Sequence, residues 1–116
     1  MLIKELSEKY NEYIIDRRRY YHQYPELTLQ EIETTKSIIK DLKEIGIEDI
    51  KTFKDFYGCV GILKGGKPGK TVLLRADIDA LPVLEKTGLP FASKIEGKMH
   101  ACGHDNHIAM LLGAAK

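Results

Sequence analysis

The sequence predicts a three-layer α/β sandwich. Two segments with apolar residues at every third or fourth position come first, which is a helical period. The period then gives way to alternation and short β-rich runs. Among these, "KTVLLRADI" (residues 70–78) has an unbroken apolar centre of Val72, Leu73 and Leu74, the pattern of a strand covered on both faces. Helices layered on a buried central strand give this architecture.

The first helix is predicted over residues 2–21, where Ile3, Leu6, Tyr10, Tyr13, Ile14, Arg17 and Tyr21 keep helical spacing. Pro25 ends it, because the residue before a proline avoids the α region. The second begins at "TLQE", where Thr28 followed by Glu31 matches a capping box. Its apolar stripe is Ile32, Thr35, Ile38, Ile39, Leu42 and Ile45, and Gly46 supplies a left-handed stop.

Strands are then predicted over residues 49–53 ("DIKTF"), 58–64 ("GCVGILK") and 70–78. The "GGKPG" turn at residues 65–69 predicts an antiparallel hairpin between the last two. Residues 80–98 hold Pro82, Gly88, Pro90 and Gly97 without a period. They read as a long loop, a feature that tends to be functional in compact domains. Residues 107–116 are helical again, with Ile108, Leu111, Leu112 and Ala115 on one face. That pattern is still apolar, with no C-cap, at the last residue, so the sequence reads as truncated.

Composition narrows the functional classes. The 116 residues suffice for one core, and a net charge of +1 makes no case for nucleic acid or an acidic membrane. The basic triplet Arg17, Arg18 and Arg19 reads as a solvated face or core edge. No apolar run approaches the roughly 18–20 residues that cross a bilayer, and "MLIKELSEKY" is no signal peptide. Cytoplasm is the default reading, which favours reduced thiols at Cys59 and Cys102.

The densest chemistry is "GKMHACGHDNH", with three of the four histidines and one of the two cysteines within residues 100–107. Cys102 and His104 are separated by one glycine, which permits the bend that lets both reach one ion. A thiolate and an imidazole suit zinc and neighbouring divalent ions. His100 and His107 are further candidates for ligation or support, and Asp105 for orienting an imidazole through its free ring nitrogen. Other readings stand beside these: His107 as a helix-start residue, Cys102 as a small buried hydrophobe or as a redox thiol. Two ligands fall short of the four in a closed structural site, so the site would be completed from elsewhere.

The second constellation is "RADIDALP" at residues 75–82. It lies just past the predicted buried strand, where open α/β sheets gather ligands. Asp77 and Asp79 read either as supports beside a metal or as a solvated turn with Arg75 paired to an aspartate. His22, in "HQYPEL", reads as structural.

Taken together, "RRYYHQYPELTLQE", "LLRADIDALPVLEKTGLPFAS" and "GKMHACGHDNHIAMLLGAAK" resemble the N-terminal part of the metal-dependent aminoacylase/carboxypeptidase peptidase family. The subgroup they resemble is that of hippurate hydrolases, auxin-conjugate hydrolases and N-acetyldiaminopimelate deacetylases. The resemblance runs from about Arg18 onward. It implies a zinc-peptidase type of α/β/α sandwich, with residues 1–116 forming the N-terminal part of the catalytic domain. It implies an amidohydrolase that cleaves the amide of N-acyl amino acids with a pair of divalent metals (zinc, manganese, cobalt or nickel). Cys102 and His104 map onto family ligands, and Asp79 onto an aspartate that in the wider family supports a metal-bound histidine two residues upstream, a position held here by Asp77. Asp77, Asp105 and His107 lie beside the ligands. The family's general-base glutamate belongs to a downstream Glu-Glu pair, and its inserted lid or dimerisation domain is likewise outside this chain. A homodimer is implied for full-length relatives, and little or no activity for the chain alone. The alternative is a non-catalytic metal-binding or interaction fragment.

Overall fold

The computed structural model describes residues 2–116. It contains four helices and one two-stranded sheet: α1 (Ile3–Lys9), α2 (Asn11–Gln23), α3 (Ile32–Ile45), β1 (Ile50–Thr52), β2 (Cys59–Gly61) and α4 (His104–Ala115). None of these helices is long and apolar enough to cross a membrane.

The first predicted helix is two. Tyr10 leaves helical geometry (φ −101°, ψ 7°), although hydrogen bonds from Tyr10 N–H to Leu6 and from Ile14 N–H to Tyr10 bridge the joint. The helix α1 buries no residue, so no packing force holds it in line with α2. The helix α2 stops at Gln23, two residues before Pro25, as the proline requires.

The predicted capping box at Thr28 does not form. The Thr28 hydroxyl donates instead to Asp79 Oδ2 at 2.6 Å, and α3 starts only at Ile32. Its first amides are met by the Glu26 carboxylate, which accepts from the backbone N–H groups of Glu33 and Thr34. A carboxylate is a strong acceptor at the positive end of a helix. The predicted stop is present at the other end. Gly46 is left-handed (φ 108°), and the amides of Ile47 and Gly46 return to Leu42 and Lys43, closing a Schellman motif.

Strand pairing differs from expectation. β1 pairs antiparallel with β2, Ile50 opposite Gly61 and Thr52 opposite Cys59. The predicted hairpin between residues 58–64 and 70–78 is absent. Residues 70–78 join no ladder, and Val72 and Leu73 are 78% and 79% exposed, not buried on both faces. A strand covered on both faces needs neighbours at its edges and layers above and below, and the described residues offer it none. Only past this run does the chain pair again. Ala80 N–H donates to Glu26, and Leu81 exchanges two hydrogen bonds with Met99. The region between residues 81 and 99 is loop, as expected.

The core lies where α2, α3 and α4 meet, built from Tyr21, Leu42, Ile47, Ile108 and Leu112. Two glycines allow close approach. A Cβ on Gly61 would sit 3.2 Å from Ile47 Cγ2, where β2 lies on α3. A Cβ on Gly113 would sit 2.5 Å from Ile14 Cγ1, where α4 meets α2.

In the arginine triplet Arg19 is exposed, while Arg17 and Arg18 are half-buried at the core edge. Arg17 Nη1 lies 3.1 Å from the buried Asp41 carboxylate, which also accepts from the Tyr21 hydroxyl at 2.6 Å. Burial and this carboxylate push the Tyr21 hydroxyl far above its ordinary pKa. Arg18 reaches the buried Asp105 of α4 at 2.9 Å. Their guanidinium groups are the counter-charges for two acidic groups that burial would otherwise penalise.

Gly113→Val tests the helix contact. Overpacking against Ile14 is expected to lower stability by about 1–3 kcal/mol, read as a lower urea midpoint with an unchanged slope.

Candidate metal centre

Helix α4 starts at His104, three residues earlier than its periodicity indicates, with left-handed Gly103 (φ 98°) at its N-cap. This places His104, Asp105 and His107 within one turn of each other. Residues at i and i+3 share a helix face, so His104 and His107 stand side by side with ring centroids 5.3 Å apart.

Asp79 orients His104. Its carboxylate Oδ1 and its backbone carbonyl both lie 2.9 Å from His104 Nδ1. A hydrogen on Nδ1 serves these acceptors and leaves the lone pair on Nε2 free. This carboxylate–imidazole pairing is the arrangement that fixes tautomer and ring direction in histidine metal ligands. Asp79 is itself held by Thr28. The Thr28 hydrogen bond, aided by His104, keeps the Asp79 carboxyl below the ordinary carboxylate range despite partial burial.

The free nitrogen faces further donors. His104 Nε2 lies 3.6 Å from Asp77 Oδ2. Asp77, His104 and His107 each bring one ligand atom to within 4.8 Å of the others. Imidazole nitrogens and a carboxylate make a donor set that suits first-row divalent ions. Asp77 also forms an ion pair with Arg75. Cys102 is an exposed free thiol two residues before His104, and it is not among the three residues of this group. Cys59, the second thiol, is also free.

Asp105 has a different role. Its side chain is 0% exposed, and its Oδ2 accepts from Arg18 Nε at 2.9 Å and faces His22 Nδ1 at 2.8 Å. The imidazole that it orients is therefore His22, on α2. The other nitrogen of His22 lies 2.8 Å from Glu85 Oε1. Burial alone would raise the Glu85 pKa. Hydrogen bonds from the Thr87 hydroxyl and the Ser93 N–H, with His22 alongside, bring it below the ordinary range. His100 is buried, with neither ring nitrogen hydrogen-bonded. Burial pushes its pKa down to about 4, against the attraction of Asp105.

Arg18, Thr28 and Glu85 lie within the stretches that carry the resemblance, but nothing in the sequence marks them as partners of Asp105, Asp79 and His22. The one available signal is the i, i+4 spacing of Arg18 and His22, which puts both on the same face of α2.

Comparison with known proteins fits this geometry. Residues 73–116 match the peptidase family M20/M25/M40. This span includes every residue of the cluster but not Arg18, His22 or Thr28. Thermostable carboxypeptidase 1 of Saccharolobus solfataricus is 49% identical over 97% of this chain and 29% of its own length. N-acetyl-L-cysteine deacetylase of Bacillus subtilis is 56% identical over 88% of this chain and 24% of its own. N-acetyldiaminopimelate deacetylase of Lactobacillus acidophilus is 48% identical over 93% and 28%. In three dimensions the chain resembles the Bacillus subtilis YXEP protein, a dinuclear metal binding peptidase of the M20 family. The TM-score is 0.82 and the identity 44%, covering 93% of this chain and 30% of that one. The α/β fold is therefore that of M20 peptidases, and the chain spans less than a third of the length of these relatives.

The Glu85 carboxylate gives a pH prediction. Its folded pKa is depressed, so the unfolded chain binds the proton more readily. The stability it contributes is present above its ordinary pKa of 4.5 and is lost as pH falls through the lower folded value. Denaturation midpoints measured from about pH 6 down to about pH 3 should fall less steeply for Glu85→Gln than for the parent.

Proposed function

We propose that this chain, a homologue of part of the M20/M25/M40 peptidases, supplies one side of a two-metal centre that hydrolyses the amide bond of N-acyl amino acids. The observation that carries the reading is the Asp79–His104 contact. It turns the free nitrogen of His104 toward Asp77, with His107 beside it.

On this reading Cys102 and His104 are metal ligands, and Asp77 and His107 lie close enough to share in the site. The donor set is compatible with zinc, manganese, cobalt or nickel. When bound, such ions lower the pKa of a water and polarise the scissile carbonyl. The tasks of this chain are narrower. Asp79 holds the His104 tautomer, Thr28 holds Asp79, and Gly103 turns the backbone between the two proposed ligands. The named relatives support the substrate class. Two are deacetylases of N-acetylated amino acids and one is a carboxypeptidase, so all act at an acyl–nitrogen bond.

Equilibrium dialysis with zinc tests the ligands. Cys102→Ala and His104→Ala are each expected to lose at least tenfold in affinity, and full retention by both would overturn the assignment. A second expectation concerns activity. The 116 residues by themselves should show little or no hydrolysis of N-acetyl amino acids, because the proposed general base lies outside them. Robust turnover by the chain alone would contradict this division of labour.

A further inference from the structure

The buried ionic group behind α4 is used by no step of the proposed hydrolysis. It is nevertheless the most completely enclosed set of charges in the protein's described residues. The His22 side chain is 2% exposed, and its two carboxylate partners, Asp105 and Glu85, are 0% and 4% exposed. Each ring nitrogen of His22 lies 2.8 Å from one of these carboxylates. The Phe91 ring packs edge-on against the imidazole at 5.8 Å, and the Arg18 guanidinium lies over that same ring, 5.1 Å from its centroid.

Burying such groups costs several kcal/mol per ion before pairing repays it. An apolar side chain would fill the space more simply. What the polar arrangement adds is direction. Asp105 immediately follows His104 and precedes His107 by two residues, so a contact that fixes Asp105 fixes the turn carrying both imidazoles. Helix α4 has no side-chain hydrogen bond at its N-cap, and the Asp105 tie is what anchors this end to α2.

We infer that His22 is a positioning residue for the metal centre. By holding Asp105, it sets the rotation of the first turn of α4 and hence where His104 Nε2 and His107 point. Its second bond, to Glu85, anchors the loop that returns to Met99, but it is not the bond that acts on the metal. This inference rests on the metal-centre reading above.

Two substitutions separate the two bonds. The amide nitrogen of asparagine can take the place of imidazole Nδ1, and that of glutamine the place of Nε2. His22→Asn therefore keeps the Asp105 contact and gives up Glu85, whereas His22→Gln does the reverse. Cobalt(II) is titrated into the whole chain and followed by its ligand-field absorption, with far-UV circular dichroism confirming the fold. His22→Asn should bind within about threefold of the parent. His22→Gln should bind about 10–100-fold more weakly, the range typical for groups that orient metal ligands, with an altered ligand-field spectrum. Leu112→Ala, destabilised through core packing alone, should keep the parent's affinity. Parent-like binding by His22→Gln, or losses that simply follow stability across all three variants, would overturn the inference. Where His22→Gln does not fold, a tenfold loss in His22→Asn overturns it, and retained affinity supports it. A parent chain that binds no cobalt removes the metal-centre reading and this inference together. A parent that binds, beside an unaffected His22→Gln, removes the inference alone.

Discussion

The structure turns on the burial of Asp105. A carboxylate with no solvent contact is tolerated only if its charge is met at close range, and here Arg18 and His22 both meet one oxygen. Both donors lie on α2, one turn apart, so the requirement fixes α2 against α4 in rotation as well as distance. The apolar part of the interface then follows. Ile14 sits against Gly113, and Tyr21, Ile108 and Leu112 close the core. A purely apolar contact would have fixed the spacing of the helices but left their rotation less constrained.

The candidate centre inherits that rotation. His104 and His107 follow from the same helical turn, and Asp79 then reaches His104 from a segment tied to the link between α2 and α3. That segment is anchored twice. Ala80 bonds to Glu26 through the backbone, and Thr28 bonds to Asp79 through its side chain. The short link between α2 and α3 therefore carries residues that support the cluster. This explains why Thr28 is not available to cap α3 and why Glu26 does so instead. Two neighbouring requirements, a helix cap and an oriented aspartate, are met by different residues of one linker.

Other residues have the opposite character. Val72, Leu73 and Leu74 are exposed, and so are Phe53 and Phe56, whose rings stack 4.3 Å apart. Apolar surface of this extent is a poor match to water. Ion pairs and core packing lock the α2–α4 side, while the run before Asp77 makes no strand pairs among the described residues.

What the sequence determined by itself was local. Helical periods placed α2, α3 and most of α4. Pro25 and Gly46 ended two helices where their backbone preferences require, and the crowding of histidines singled out the turn that brings His104 and His107 beside Asp77. These features depend on neighbours within a turn or two. Tertiary structure decided the partnerships. Asp105 orients His22, 83 residues away, and not an imidazole of its own cluster. Thr28 serves Asp79 across 51 residues, and Asp79 serves His104 across 25. Residues 70–78 have the composition of a buried strand but no ladder to join. Side-chain partners at such separations are chosen by how the helices pack, and strand pairing by which neighbours are present. Neither is written in the spacing of nearby residues.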